Sequence, residues 1–185
     1  MLLKDICEIK SGFQGKTEEG NKYKIIKLKD VSKDGIIDYN NLESFDSERE
    51  PKKFLLEKGD VILKARSAEN TAVAIDKDLE NVVASSQYMI LKIKDKEKVN
   101  PLYLELYLNS EYTQAILKRN SEGSVLPIIK LNILKDDLPI KIVPMEIQEK
   151  LIEVYSLVKQ EKKYMQEIAE KRNEQYTAYI REYLD

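Results

Sequence analysis

The chain contains no histidine. That removes the imidazole, the side chain most often used as a general base near neutral pH and as a zinc ligand. It contains one cysteine, Cys7, which excludes an internal disulfide, fits a reducing compartment, and reads as the filler of a small apolar hole rather than a nucleophile. Its six glycines nowhere form Gly-x-Gly, so a glycine-rich phosphate cradle has no place to sit. Long apolar runs are missing as well, so nothing reads as a signal peptide or a membrane span, and the expected setting is cytoplasmic. An excess of one charge is the last absence: 31 Lys and Arg stand against 33 Asp and Glu. Residues 145–185 hold seven basic and nine acidic residues, leaving 24 of each before them, so a basic face has to come from clustering.

With 185 residues and 42% hydrophobic content, the chain can build one ordinary domain and one long helix, but not two full domains. The helix is the clearest signal. From Pro144 to Leu184 nothing breaks it, and Ile147, Leu151, Val154 and Val158 recur at spacings of four and three. After a skip at Glu161, Met165 and Ile168 resume the register, which continues through Arg172 and Gln175 to Tyr179, so the far end of the seam is polar and aromatic. A helix of this length spans roughly 60 Å at 1.5 Å per residue, about twice the width of a small domain. Much of it must project, and its stripe needs a partner. The division expected is a body over residues 1–143 and a helix over 144–185.

The body reads as α+β: a mostly antiparallel curled sheet or small barrel with flanking helices. Residues 2–9 suggest a short amphipathic helix, followed by a glycine-punctuated loop from Ser11 to about Lys22 and a strand from Lys24 to Leu28. A turn at Lys33-Asp34-Gly35 precedes a polar excursion from Asn40 to Lys53. The densest β signal comes next, in short β-branched runs at Val61–Ala65, Thr71–Ile75, Val82–Ala84 and Tyr88–Ile93, with Glu57-Lys58-Gly59-Asp60 as a turn before the first. Asn100 and Pro101 then cap and open a helix running to about Arg119. A polar loop over 120–129, a short segment at Leu131–Leu134 and a strand at Ile140–Val143 complete the body.

Two enzymatic readings are weak. Asn100-Pro101-Leu102-Tyr103 is similar to the Asn-Pro-Pro-Tyr motif with which amino-methyltransferases hold a flipped base, yet it stands at the start of an amphipathic helix with no glycine-rich cofactor loop upstream. Asp60 and Lys64 are the nearest approach to a metal-dependent nuclease site, but no second carboxylate sits where a strand would place it beside Asp60. Neither a metal nor a cofactor is expected. Three loops do combine cations, amides and hydroxyls suited to phosphate and base-edge contacts: Gln14 to Lys16, Lys64 to Ser67, and Lys118 to Ser124. Between Lys118 and Lys135 the only acidic residue is Glu122.

The run from Leu138 to Ile152 resembles the junction between a target recognition domain and its spacer helix in the DNA specificity (S) subunits of type I restriction-modification systems. In that family a short strand ends in proline and a Pro-x-x-x-Gln launch begins the helix; Pro144 and Gln148 match, while Ile147 stands where a Glu is common. Leu3 to Gly12, Leu56-x-x-Gly59-Asp60-Val61-Ile62, Pro101-x-Tyr103-Leu104, Leu108-Asn109-Ser110 and Gly123 resemble further family features in the same order. The resemblance implies a reader of double-stranded DNA without catalytic activity, which docks a methyltransferase (modification) subunit and, through the complex, a restriction subunit. Typical S subunits carry two recognition domains and two spacer helices. This sequence resembles half of one, which implies an antiparallel homodimer reading a bipartite, symmetric site.

The residues expected to read DNA are Gln14, Lys16, Lys64, Arg66, Arg119, Ser121 and Ser124. Those expected in the dimer seam are Ile147, Leu151, Val154, Val158, Met165, Ile168 and Tyr179. The competing expectation is a non-enzymatic coiled-coil adaptor whose β body binds protein.

Overall fold

A computed structural model describes residues 1–48, 51–121 and 128–184. The strongly β-branched runs form the framework. Strands β1 (Cys7–Ser11), β4 (Val61–Lys64), β5 (Ala72–Ala74) and β7 (Tyr88–Ile93) make a four-stranded antiparallel sheet in the order β1-β7-β4-β5. A second sheet has β2 (Glu18–Ile26) at its centre, antiparallel to β3 (Glu43–Asp46) and parallel to β6 (Val82–Ala84). Among the described residues the two sheets do not close into a barrel. The architecture is α+β, as the sequence indicates.

The larger sheet is buried on both faces, which explains why its middle strand reads as the unbroken run Val61-Ile62-Leu63 instead of alternating. Val61, Leu63, Leu91 and Cys7 face one core, packed with Leu3, Leu104, Leu108, Leu117 and Leu134. Ile62, Ile90 and Tyr88 face another, covered by Ile26, Val31, Val82 and Ala84. A smaller aromatic cluster of Phe13, Tyr23 and Phe45 lies against Val83. Cys7 fills the first core as expected, and burial pushes its thiol up to about 12.

Several local expectations shift. The helix expected over residues 2–9 is one turn, α1 (Leu3–Ile6), after which β1 begins, because Cys7 and Ile9 alternate inward and pair with Ile93 and Leu91. β2 starts at Glu18, inside the expected loop; its first five residues are exposed, so pairing with β3 extends it, not burial. β3 itself lies in the polar excursion and buries only Phe45. The single helix from Asn100 is two, α2 (Pro101–Asn109) and α3 (Glu111–Ser121). Ser110 divides them: its carbonyl accepts the Gln114 amide at 2.9 Å and its hydroxyl accepts the Thr113 amide at 3.3 Å, an N-cap for α3. Residues 140–143 form no ladder strand, only the Ile140 amide bond to Met1 O and a neighbouring bridge between Leu2 and Pro139. The Leu131–Leu134 segment leads into a π-helical turn, Ile133–Asp137.

Two other readings hold in detail. The Asn100 side chain accepts the Leu102 amide at 2.9 Å, making Asn-Pro a helix start. Asp60 closes the turn before β4, its carboxylate taking the Glu57 amide at 3.0 Å and the Lys92 ammonium at 3.2 Å, with Gly59 at φ +89°.

The long helix α4 runs from Met145 to Leu184. Polar residues fasten its first half to the body. Gln148 is fully buried: it accepts the Asn100 amide at 2.9 Å and donates to Lys98 O and Val143 O, each at 2.8 Å. On α2, buried Glu105 accepts the Ala74 amide at 2.8 Å and the Lys159 ammonium at 2.7 Å. One turn on, Asn109 exchanges two hydrogen bonds with the Ala72 backbone and donates to the Tyr155 hydroxyl at 3.1 Å. α2 therefore covers the open edge of β5 and holds α4 with the same two side chains. No helix among the described residues is long and apolar enough to cross a membrane.

Candidate nucleic-acid interface

Backbone bonds at one end of the four-stranded sheet assemble a continuous rim. β1 ends at Ser11 opposite Met89, and the chain then crosses the turn between β6 and β7: the Gly12 amide donates to Tyr88 O at 2.9 Å and the Phe13 amide to Ala84 O at 2.7 Å. This crossing requires glycine, since a Cβ at Gly12 would collide with the carbonyl oxygens of Ala84 and Ser85. On the other side of that turn, Gln87 O accepts the amides of Ala65 at 2.8 Å and Arg66 at 3.2 Å. Arg66 bridges Ile128 and Ala65 O accepts the Ile129 amide at 2.8 Å, so the chain returning from α3 lies next in line.

Gln14, Lys16 and Arg66 are exposed along this rim, each carried by a short segment whose backbone is tied on at least one side. Gln14 and Lys16 share a hollow with Ser47 and Glu48, so Lys16 does not stand in an unopposed positive field. Arg119 is exposed on the last turn of α3, and Ser121 is the final residue of that helix. α3 is tied to the Arg66 loop through Gln114, which donates to Asn70 O at 2.9 Å, while Asn70 donates to Lys64 O at 2.9 Å. Ser124 lies outside the described residues.

Lys64 is a correction. It is buried, and its ammonium donates to Val31 O at 2.7 Å and to Ser32 O at 3.3 Å. Burial lowers its pKa, and the group serves to tie the 31–32 segment across the second core instead of facing solvent. The sequence signal failed here because Lys64 ends a strand whose outer face another loop happens to cover. Ser86 and Gln87, half-buried at the turn that joins the two sides of the rim, were missed. Only the pairing of β1 and β4 with β7 brings that turn between the candidate loops.

The expected seam residues Ile147, Leu151, Val154, Val158, Met165, Ile168 and Tyr179 are all exposed on α4, together with Leu157. Among the described residues, no group of three or more His, Cys, Asp or Glu is placed to hold a metal ion.

The arrangement is thus a mixed-sheet body with loops gathered on one rim, to which a long helix is fastened by polar contacts. A family model, Type I restriction modification DNA specificity domain, matches residues 1–174, and the chain belongs to that family. Solved structures with the same fold include an S subunit of the type I restriction-modification system from M. genitalium, with TM-score 0.58, 16% identity and 92% of this chain covered. An HsdS subunit from Thermoanaerobacter tengcongensis gives TM-score 0.60, 16% identity and 94% coverage. A chain from a study of complex assembly and conformational transition of the type I R-M system gives TM-score 0.66 at 16% identity and 94% coverage. The chain spans 41%, 45% and 41% of those three proteins respectively, less than half of each. Comparison with curated proteins returns no match.

Proposed function

We propose that this protein is the non-catalytic, cytoplasmic DNA-reading component of a type I restriction-modification complex. Residues 1–143 serve as its target recognition domain and 144–185 as a spacer and dimerisation helix. The carrying observation is the rim, where Gln14, Lys16 and Arg66 stand exposed on segments fixed by the sheet, with Arg119 and Ser121 on the adjoining helix end. Backbone-fixed loops suit DNA reading, because base discrimination requires donors and acceptors held in place before contact. Lysines position the domain on phosphates, while Gln14 and Arg66 reach base edges in the major groove. Ser124, in the segment between α3 and Ile128, belongs to the same proposed surface.

Two copies pair antiparallel through the outward stripe of α4, setting two recognition domains at a fixed separation over a symmetric, interrupted site. The methyltransferase subunit docks on this assembly, and the restriction subunit joins through it. A net charge of −2 supports a division of labour in which the methyltransferase supplies much of the grip on DNA. The outward stripe also suits a coiled-coil adaptor, but the family match over residues 1–174 favours the DNA reader.

Co-expression with a cognate methyltransferase tests the reading, by mass measurement of the complex and sequencing of methylated sites. The expected result is a complex methylating one bipartite sequence; no complex and no directed methylation overturns the proposal. In the same complex Arg66→Ala should weaken binding by about 1–3 kcal/mol and relax one base position. Unchanged binding by the Arg66→Ala/Arg119→Ala double variant would show that the rim is the wrong face.

A further inference from the structure

The body contains three glutamines, Gln14, Gln87 and Gln114. Gln114 is committed to the fold, since its side-chain amide donates to Asn70 O at 2.9 Å and to Leu108 O at 2.8 Å. Gln14 and Gln87, both on the rim, make no side-chain hydrogen bond among the described residues. Gln14 is exposed and water serves it. Gln87 is half-buried at the centre of the rim, on backbone that is fixed from both sides. Its carbonyl accepts the Ala65 and Arg66 amides at 2.8 and 3.2 Å, and the Tyr88 amide closes the turn onto Ser85 O at 3.0 Å. The same turn holds the Ser85 hydroxyl, the one buried side-chain polar atom without a partner among the described residues. Buried polar groups are otherwise bonded, so unmet hydrogen-bonding capacity gathers at this turn. We propose that Gln87 is a specificity-determining residue that reads an adenine in the major groove, beside a guanine read by Arg66.

The proposal rests on the DNA reading by the rim and names a residue and a base for it. Chemistry selects the base: a carboxamide presents one donor and one acceptor side by side, which match adenine N7 and N6 in a bidentate pair, whereas a guanidinium matches guanine O6 and N7. Fixed backbone favours the contact, because little freedom is left to lose when the side chain is engaged. The turn itself does not call for glutamine. Asn81 is the only residue other than glycine at positive φ among the described residues, so position 87 has a backbone that other side chains accept. Geometry then sets the spacing. Lys64 and Tyr88 form the last ladder pair of β4 and β7, which leaves Arg66 and Gln87 on adjacent segments, roughly 5 Å apart as neighbouring strands are. Successive bases along a DNA strand are about 3.4 Å apart. The two side chains therefore address base pairs one or two steps from each other.

The test is sequencing of methylated sites in a host that expresses the full chain with its cognate methyltransferase, comparing the unaltered protein with Gln87→Ala and Gln87→Glu. The unaltered protein should direct methylation to a motif in which each half holds an A·T pair within two positions of a G·C pair. Gln87→Ala should relax that A·T position, its discrimination falling about tenfold or more, while the other positions stay fixed. Gln87→Glu keeps the size of the side chain but removes its donor, so the preference for adenine should be lost there as well. If Gln87→Ala does not assemble, Gln87→Glu decides. A motif unchanged by substitution overturns the proposal, and so does an equal loss at every site, the mark of a phosphate contact or a structural role. Arg66→Ala should relax the neighbouring G·C position; relaxation more than two positions from the one that Gln87 controls overturns the pairing of the two residues. An unaltered chain that directs no methylation to a defined motif overturns the DNA reading itself, and this inference with it, whereas a defined motif indifferent to Gln87 overturns the inference alone.

Discussion

The two faces of α4 reverse the usual division of an amphipathic helix. Toward the body it presents Gln148, Tyr155 and Lys159, each hydrogen-bonded or ion-paired, and further out Gln166, which donates to Asp34 at 2.8 Å. Toward solvent it presents Ile147, Leu151, Val154, Val158, Met165 and Ile168. The apolar face was kept for something other than this chain's own core, while directional bonds set how the helix leaves the body. Apolar contact tolerates sliding and rotation; Gln148 between three backbone groups does not. Under the proposed spacer role, a helix that holds a distance gains from the second kind of attachment.

This contrast can be broken at three places. Gln148→Leu should have the largest effect on folding, because it strips the partner from the Asn100 amide and from two carbonyls at a fully buried site. The expected loss is about 3 kcal/mol in urea unfolding, and a loss below about 0.5 kcal/mol would show that the clamp is ornamental. The Glu105–Lys159 pair comes next. A double-mutant cycle with Glu105→Gln and Lys159→Met should return a coupling of about 1 kcal/mol, below a fully buried pair because the lysine side chain is 29% exposed. Smallest on folding is Leu151→Asp with Val158→Asp on the outward face. Unfolding free energy at high dilution should change by no more than about 0.5 kcal/mol per site, while association at higher concentration is lost. A large loss of monomer stability would mean that the stripe packs on the body after all.

The body and the helix also differ in how far they can be read from sequence. β4, β5, β6 and β7 are legible because short β-branched runs between turns have few alternatives, and α4 because its apolar period persists for many turns. β2 and β3 are poorly legible: Glu18 to Lys22 and Glu43-Ser44 are polar and exposed, and pairing alone makes them strands. The break at Ser110 is hidden for a related reason, since a serine reads equally well inside a helix or as a cap until the next helix turns away. Among the candidate DNA contacts, Gln14, Lys16 and Arg66 are exposed as expected, whereas Lys64 shares their chemistry and is buried. Composition cannot separate Lys64 from Arg66, because the difference lies in what covers the sheet, residues 31–32, more than thirty positions away.

Sequence by itself determined the strand framework, the long helix with its unsatisfied stripe, the Gly59-Asp60 turn and the family resemblance at Pro144 and Gln148. These depend on local periodicity and on residues whose conformational limits act over a few positions. Only tertiary structure decided that a polar face of α4 meets the body, that Lys64 is a strut, and that the 12–16 and 66–70 loops share one rim with the end of α3. Each depends on pairing between distant segments, where a hydrogen bond forms or fails on differences of an ångström that no local pattern encodes.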